Sequence, residues 1–431
     1  MERKELEVMA PAGNFECLRA AIQGGADAVY FGVGHLNMRS HSANNFAQED
    51  LPEVVRICHD AGVRAYLTLN IVIYDEEIGP MQAVLDDAAR CGVDAVIASD
   101  LAVVQACRAR GLEVHLSTQL NISNIEALRF YAQFAEVAVL ARELKLEQVA
   151  AIHEAVLQEG ICGPSGRPVR LEMFVHGALC MAISGKCYLS LHTYGTSANR
   201  GGCYQLCRRG YRVTDLETGT QLEVDNKYIM SPKDLCTIEF LDKIAAAGVR
   251  VFKIEGRARN PEYVKRTTQC YRRAADAVAD GTFTAELGAA LKEELADVFN
   301  RGFWDGYYQG APLGEWSAVY GSQARRHKEY CGKVTNWYSK LGVAEITVES
   351  ATLHVGDEIL FMGPTTGVVE TRVEEIRLDL APVPQAVRGD ICSIPVRSDG
   401  NAGGSGENGN AGGSGDGIVR RGDKVYLWVE S

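Results

Sequence analysis

The chain has 431 residues, 46% of them hydrophobic and 8% aromatic, and a formal net charge of −12. That length supports a large core spread over roughly two or three domains, and the acidic total excludes wholesale nucleic-acid binding, which uses Lys and Arg to displace counterions. No stretch approaches about eighteen uninterrupted apolar residues, and the opening MERKELEVMAPAG lacks the apolar core and cleavage site of a secretory signal. A cytoplasmic protein with no membrane segment is therefore expected, its thirteen cysteines reduced unless they bind metal.

Along the first 256 residues one pattern recurs: a helical stretch, a small turn, then an apolar strand ending in polar residues. After LEVMAPAG (6–13) come GGADAVYFG (24–32), AGVRAYLTLN (61–70), CGVDAVIASD (91–100), RGLEVHLSTQ (110–119), AEVAVLARE (135–143), VRLEMFVHG (169–177) and AGVRVFKIEG (247–256). Segments of helical period such as LPEVVRICHDA (51–61) and NIEALRFYAQFA (124–135) separate most of them. The apolar runs thus read as parallel strands covered by helices. Eight such units predict an α/β fold with a TIM-like (β/α)8 barrel over 1–258, the doubly wound sheet being its rival. The longest excursion, a Cys-rich insertion at 178–246, precedes the eighth strand.

Past the barrel, 260–281 and 286–302 read as helices of an extension covering 259–320. A β-rich tail, 328–431, follows, in which a Gly-Asp turn precedes an apolar strand in VGDEILF, RGDICSI and RGDKVYLW. A small closed β-barrel is expected there, interrupted at 399–417 by a Gly, Asn and Ser segment with the composition of a flexible loop.

In a (β/α)8 barrel the residues after each strand gather on the face that carries the active site. Here they are polar: Asn70, Asp100, Thr118 and Gln119, Arg142 and Glu143, His176, Lys253, Glu255 and Arg257. Each alone reads as a solvated strand end or helix cap, and His176, behind an apolar strand, as a core histidine; their recurrence at equivalent positions points to a site.

Cys180, Cys187, Cys203 and Cys207 fall within 28 residues of the insertion, and Cys236 follows in SPKDLC. Thiols this dense in a reducing compartment suit a soft metal centre. Iron–sulfur clusters and tetrahedral zinc both take four thiolates. The gaps of six, fifteen, three and twenty-eight residues lack the paired short knuckles of zinc ribbons, which favours a cluster and keeps zinc as the alternative metal. Cys207 also reads as a spare thiol. Two basic groups accompany them, Arg200, Arg208, Arg209 and Arg212 near the cysteines and Arg250, Lys253, Arg257 and Arg259 near the eighth strand, with Arg325, Arg326 and Lys328 at the tail junction. They are the local patch through which RNA could bind.

The stretch EMFVHGALCMAISGKC resembles the signature of the peptidase U32 family, once described as collagenase-like peptidases. MAPAGNFECLRAAIQGGADAVYFG, LSTQLNISN, SPKDLC and FKIEGRARNPEYV are further marks, so the resemblance covers roughly the first 310 residues. The tail is similar to the small β-barrel of elongation factors that some members carry, which makes the chain most similar to the branch of prephenate-dependent hydroxylation of wobble uridine in tRNA. The resemblance implies tRNA as partner, prephenate as a small carboxylate co-substrate, and a [4Fe-4S] iron–sulfur cluster on Cys180, Cys187, Cys203 and Cys236, with Cys207 as the alternative ligand. On that reading His176, Glu255 and Arg142 are the candidate catalytic residues, and Arg257, Gln119 and Asn70 the candidates for binding the small molecule. Arg142 or Arg257 could supply a bidentate carboxylate contact. Two alternatives stand: a collagenase-like U32 peptidase, although neither HExxH nor GxSxG occurs, and a non-catalytic RNA-binding protein with a structural metal site. Any protein partner is left open.

Overall fold

The apolar runs form strands because parallel strands in a barrel are covered on both faces and tolerate no polar alternation. The computed structural model describes residues 2–40, 44–222, 230–311, 314–319, 321–396 and 418–431. The barrel strands are β1 Glu7–Ala12, β2 Ala28–Phe31, β3 Arg64–Leu69, β4 Ala95–Ala98, β5 Val114–Leu116, β6 Val137–Val139, β7 Arg170–Gly177 and β8 Val249–Ile254. Each pairs in parallel with the next, and β8 pairs with both β7 and β1, closing the barrel. Every residue of β1, β2, β4, β5 and β6 is buried.

A helix follows each strand: Phe15–Gln23, Leu51–Asp60, Ile78–Cys91, Leu101–Ala109, Ile125–Ala132, Leu146–Glu159, Leu241–Ala246 and Pro261–Ala279. Side-chain caps start several of them, satisfying backbone N–H groups that have no partner inside the helix. Asn14 accepts from Cys17 N at 2.8 Å, Asn124 from Ala127 N at 2.9 Å and Asp100 from Ala102 N at 2.8 Å. Asp100 is thus a helix cap, the plainer of its two sequence readings. The helix Pro261–Ala279 packs against β1 and the helices Phe15–Gln23 and Leu241–Ala246, so the segment read as the start of an extension occupies the eighth helix position of the barrel.

The C-terminal part is an eight-stranded antiparallel sheet beginning at Arg326–Tyr338, around its own core of Cys331, Ile346, Phe361, Cys392, Ile394 and Val425. It is tied to the barrel by Gln23, whose amide donates to Thr366 O at 2.8 Å and accepts from Val368 N at 3.0 Å, and by Arg266 with Glu370 at 2.7 Å. The three junction cations are also spent in ion pairs, Arg325 and Lys328 across this junction and Arg326 within the sheet. Arg325 pairs with Asp297 at 2.8 Å, Arg326 with Glu358 at 2.5 Å and Lys328 with Glu262 at 3.0 Å, so they brace the structure rather than extend a basic patch. The predicted loop at 399–417 lies outside the described residues. Among the described residues no helix is long and apolar enough to cross a membrane.

Candidate active site

Side chains alternate across a strand, so every second barrel residue points inward. At the lower end, formed by the strand starts, the buried Glu7 carboxylate accepts from Arg64 at 2.5 Å, Arg170 at 2.8 Å and Tyr66 at 2.9 Å. An apolar layer follows, including Met9, Ala28, Ile97, Val137 and Val251. Above it the buried Lys253 ammonium pairs with the buried Glu172 at 2.6 Å and lies 4.8 Å from the centre of the Tyr30 ring and 5.5 Å from that of Phe174. Lys253 is the floor of the upper opening.

The wall above comes from the end of β8 and from the loop after β2. Glu255 accepts from Arg39 at 2.8 Å and from Ala178 N at 3.3 Å. Burial pushes its carboxyl up, but Arg39 and Arg259 outweigh this and hold it below the usual carboxylate range. Arg257 donates to Asn37 and Thr68, each at 2.9 Å, and among the described residues to no carboxylate; burial lowers its pKa to about 10. Two glycines make this crowding possible. A Cβ on Gly32 would lie 2.5 Å from the Arg257 guanidinium, and one on Gly177, whose φ is +104°, would lie 2.6 Å from Glu255 O. Gly177 therefore adopts a backbone conformation that L side chains avoid, and sends the chain across the mouth beside Glu255.

That crossing begins the Cys-rich insertion. Arg208 fastens it by donating to Leu179 O at 2.6 Å, Ser231 Oγ at 3.0 Å and Pro232 O. Arg200 fastens it again, to Glu77 at 2.7 Å and over the Tyr74 ring at 3.8 Å. Beneath lies a cavity of about 990 Å³, large enough for a drug-sized molecule or a nucleoside. Cys180, Cys187, Cys203 and Cys207 line it together with Lys253, Glu255, Arg257, Arg39, Arg142, Asn70 and Gln119. Cys180 is solvent-exposed at the mouth; desolvation by the surrounding atoms opposes ionisation of its thiol, but Arg142 and Arg39 outweigh this and bring its pKa below the ordinary value. Burial pushes Cys207 up to about 11, and it lies within electrostatic reach of Cys180, Cys203 and Cys187. Arg142 also donates to Ser184 Oγ at 2.7 Å, anchoring the chain between the first two cysteines. Among the described residues no three Cys, His, Asp or Glu side chains converge as a single-ion site.

Two predicted residues stand apart. His176 is 1% exposed and absent from the cavity wall, although alternation from Glu172 and Phe174 should turn it inward. The cause is a bulge: β7 advances from Phe174 to His176 while β8 advances only from Lys253 to Ile254. The imidazole instead packs among Tyr271, Phe303 and Tyr263 at 5.5, 5.7 and 5.9 Å, and burial lowers its pKa to about 3. It sits as a core histidine behind the cavity wall, where burial disfavours its protonation. Cys236 sits opposite it on the short antiparallel strand Asp234–Cys236, 3% exposed, with its thiol against Tyr271 and pushed up to about 12 by burial. The cavity thus gathers Cys207, the thiol read as spare, and leaves out Cys236. Arg250, at the start of β8, donates to Ala245 O and Val249 O at the far end of the barrel. Arg39, Tyr30 and Thr68 line the cavity and were not singled out from the sequence.

The sequence profile of Peptidase family U32 matches residues 13–318. The chain is 58% identical over 397 residues to a protein named collagenase from Porphyromonas gingivalis, covering 92% of this chain and 96% of that one. It is 33% identical over 385 residues to the tRNA hydroxylation protein P1 of Bacillus subtilis, covering 86% and 88%. With the 23S rRNA 5-hydroxycytidine synthase of Escherichia coli it shares 38% identity over 321 residues, 73% of this chain and 46% of the other. The profile spans the second to eighth barrel strands, the bulge and the cysteine-lined mouth alike, and the chain belongs to peptidase family U32.

Proposed function

We propose that this chain is an RNA-hydroxylation enzyme, acting on a wobble uridine of tRNA with prephenate as co-substrate and a [4Fe-4S] cluster as its redox group. The observation that carries this reading is the shared cavity, where four cysteines face a cationic, polar floor. Cys180, Cys187, Cys203 and Cys207 would hold the cluster, since their donor type and common cavity fit it, and Arg39 and Arg142 beside Cys180 favour its thiolate. Zinc would need its sulfurs within about 4 Å of one another, and among the described residues no three side chains converge in that way. When bound, a cluster supplies single-electron transfer. The protein's own part is binding: Arg257, with no carboxylate bonded to it among the described residues, and Lys253, paired with Glu172 on the floor, present cationic donors to a small carboxylate, while the mouth admits a base.

The collagenase-named relative makes peptide cleavage the competing reading. Among the described residues no hydrogen bond joins a cavity-lining histidine to a serine or cysteine, as a nucleophile–base pair requires. Anaerobic purification with iron and sulfide analysis, followed by assay of tRNA from cells in which this chain is the sole source of the modification, tests the proposal. Cys180→Ser should lose both iron and hydroxylated uridine. Colourless protein with stoichiometric zinc, or normal hydroxylation by Cys180→Ser, overturns it.

A further inference from the structure

Residues 178–212 contain five Lys and Arg and no Asp or Glu, in a chain whose net charge is −12. The same stretch exposes an unusual amount of aromatic surface. Tyr188 is 73% exposed, and Tyr194 and Tyr204 are each 47% exposed. Burial of aromatic rings is a main source of folding free energy, so rings as exposed as Tyr188 and Tyr194 on one segment call for an occupant. Tyr194 and Tyr204 stand with ring centres 4.9 Å apart, and the Arg209 guanidinium lies 5.7 Å from the Tyr194 centre. Tyr188 lines the rim of the cavity with Lys186. Arg200 and Arg208 are spent on fastening the segment. Lys186, Arg209 and Arg212 have no ion-pair partner among the described residues, and all three are exposed.

We propose that this segment is a stacking platform for unpaired nucleotides, with Tyr188 and Tyr194 carrying the bases that flank the one entering the cavity and Lys186, Arg209 and Arg212 contacting their phosphates. The inference rests on RNA being the substrate and says which form of RNA is bound. Interleaved rings and cations suit single strands, whose unstacked bases offer π-faces that a duplex hides. A regular helix would present only phosphates and leave the rings in water. Placed at the rim, the platform would keep the loop open while one base descends toward Arg257 and Lys253.

The test uses the full chain and a fluorescently labelled hairpin RNA with a uridine in its loop, beside a fully paired duplex of the same stem. Tyr188→Ala and Tyr194→Ala should each weaken hairpin binding roughly five- to hundredfold, leave the salt dependence of affinity unchanged, and leave duplex binding as it was. Tyr188→Phe and Tyr194→Phe, which keep the ring, should restore affinity. Arg209→Ala should instead flatten the salt dependence by about one phosphate contact. Three results would overturn the platform while sparing the functional reading: active wild type whose hairpin affinity the alanine variants do not change, equal affinity for hairpin and duplex, or tyrosine variants that alter only self-association in sedimentation. Wild-type protein that neither binds the hairpin nor modifies tRNA would bring down both.

Discussion

At the lower end of the barrel Glu7 is 1% exposed and wholly occupied, by two arginines and a tyrosine of the barrel itself. At the upper end Arg257 is 5% exposed and, among the described residues, bonds to two neutral groups, Asn37 and Thr68. Both ends bury charge, which is costly unless the charge is partnered. The lower end has discharged that cost internally and is a plug. The upper end leaves Arg257 without an ion pair among the described residues, the nearby Glu255 being held by Arg39, beside an open cavity that suits the proposed anion. The Lys253–Glu172 pair marks the boundary between them, matched in charge yet facing the cavity with its ammonium.

The sharpest way to break the comparison is through the thiols, because one pair of substitutions separates the mouth from the wall behind it. Cys207→Ser, on the cavity, should lose bound iron altogether. Cys236→Ala, in the core behind β7, should keep iron and tRNA hydroxylation and cost only about 1 kcal/mol of stability for the small group removed. Iron lost from a folded Cys236→Ala protein would restore the ligand set expected from the motifs. Next in size is the plug. Glu7→Gln leaves the half-exposed Arg64 and Arg170 facing a buried neutral amide, and should cost about 2 kcal/mol, read by denaturant unfolding, with turnover per folded molecule unchanged. A fall in turnover without a fall in stability would mean that the two ends are coupled.

The barrel was legible in the sequence because closed parallel strands are apolar on both faces, so the eight runs stand out from the helices between them. The mouth was legible for the same reason: a polar residue directly after such a run has left the core. What stayed hidden depended on pairing. His176 has the right spacing from Glu172 and Phe174, and only the extra residue that β7 takes against β8 turns it outward. Cys236 is near the other cysteines in sequence, yet its short strand pairs with the end of β7 and carries the thiol into the core. Arg39 lies in the loop between β2 and the helix Leu51–Asp60, where no periodicity signals direction, and its role appears only through the carboxylate it meets on β8. The helix Pro261–Ala279 is amphipathic whether it covers a barrel or follows one, so its place in the ring was not readable.

Arg257 gives the complementary measurement at the mouth. Arg257→Met removes a buried cation that forms no ion pair, so stability should hold, while a charge-assisted contact to a carboxylate co-substrate, about 1.5–3 kcal/mol, is lost. The expected result is a KM for prephenate raised roughly ten- to hundredfold with the iron content intact. An unchanged KM would show that the free cation is not where the anion binds.

The smallest expected effect concerns His176 and has a definite sign. Its folded pKa is lowered to about 3 by burial, whereas an unfolded histidine titrates near about 6.5. Between those values the unfolded chain binds the proton and the folded chain does not, so this residue withdraws stability as pH falls from about 6.5 toward 3. Above about 6.5 both states hold it neutral and its contribution is flat. His176→Phe, which keeps an aromatic ring among Tyr263, Tyr271 and Phe303, should therefore make the denaturant midpoint less sensitive to acid over that window while leaving it almost unchanged at neutral pH. Hydroxylation at neutral pH should survive the substitution, since the imidazole does not reach the cavity. Loss of hydroxylation in a stably folded His176→Phe protein would return the residue to the site and require the end of β7 to rearrange when substrate binds.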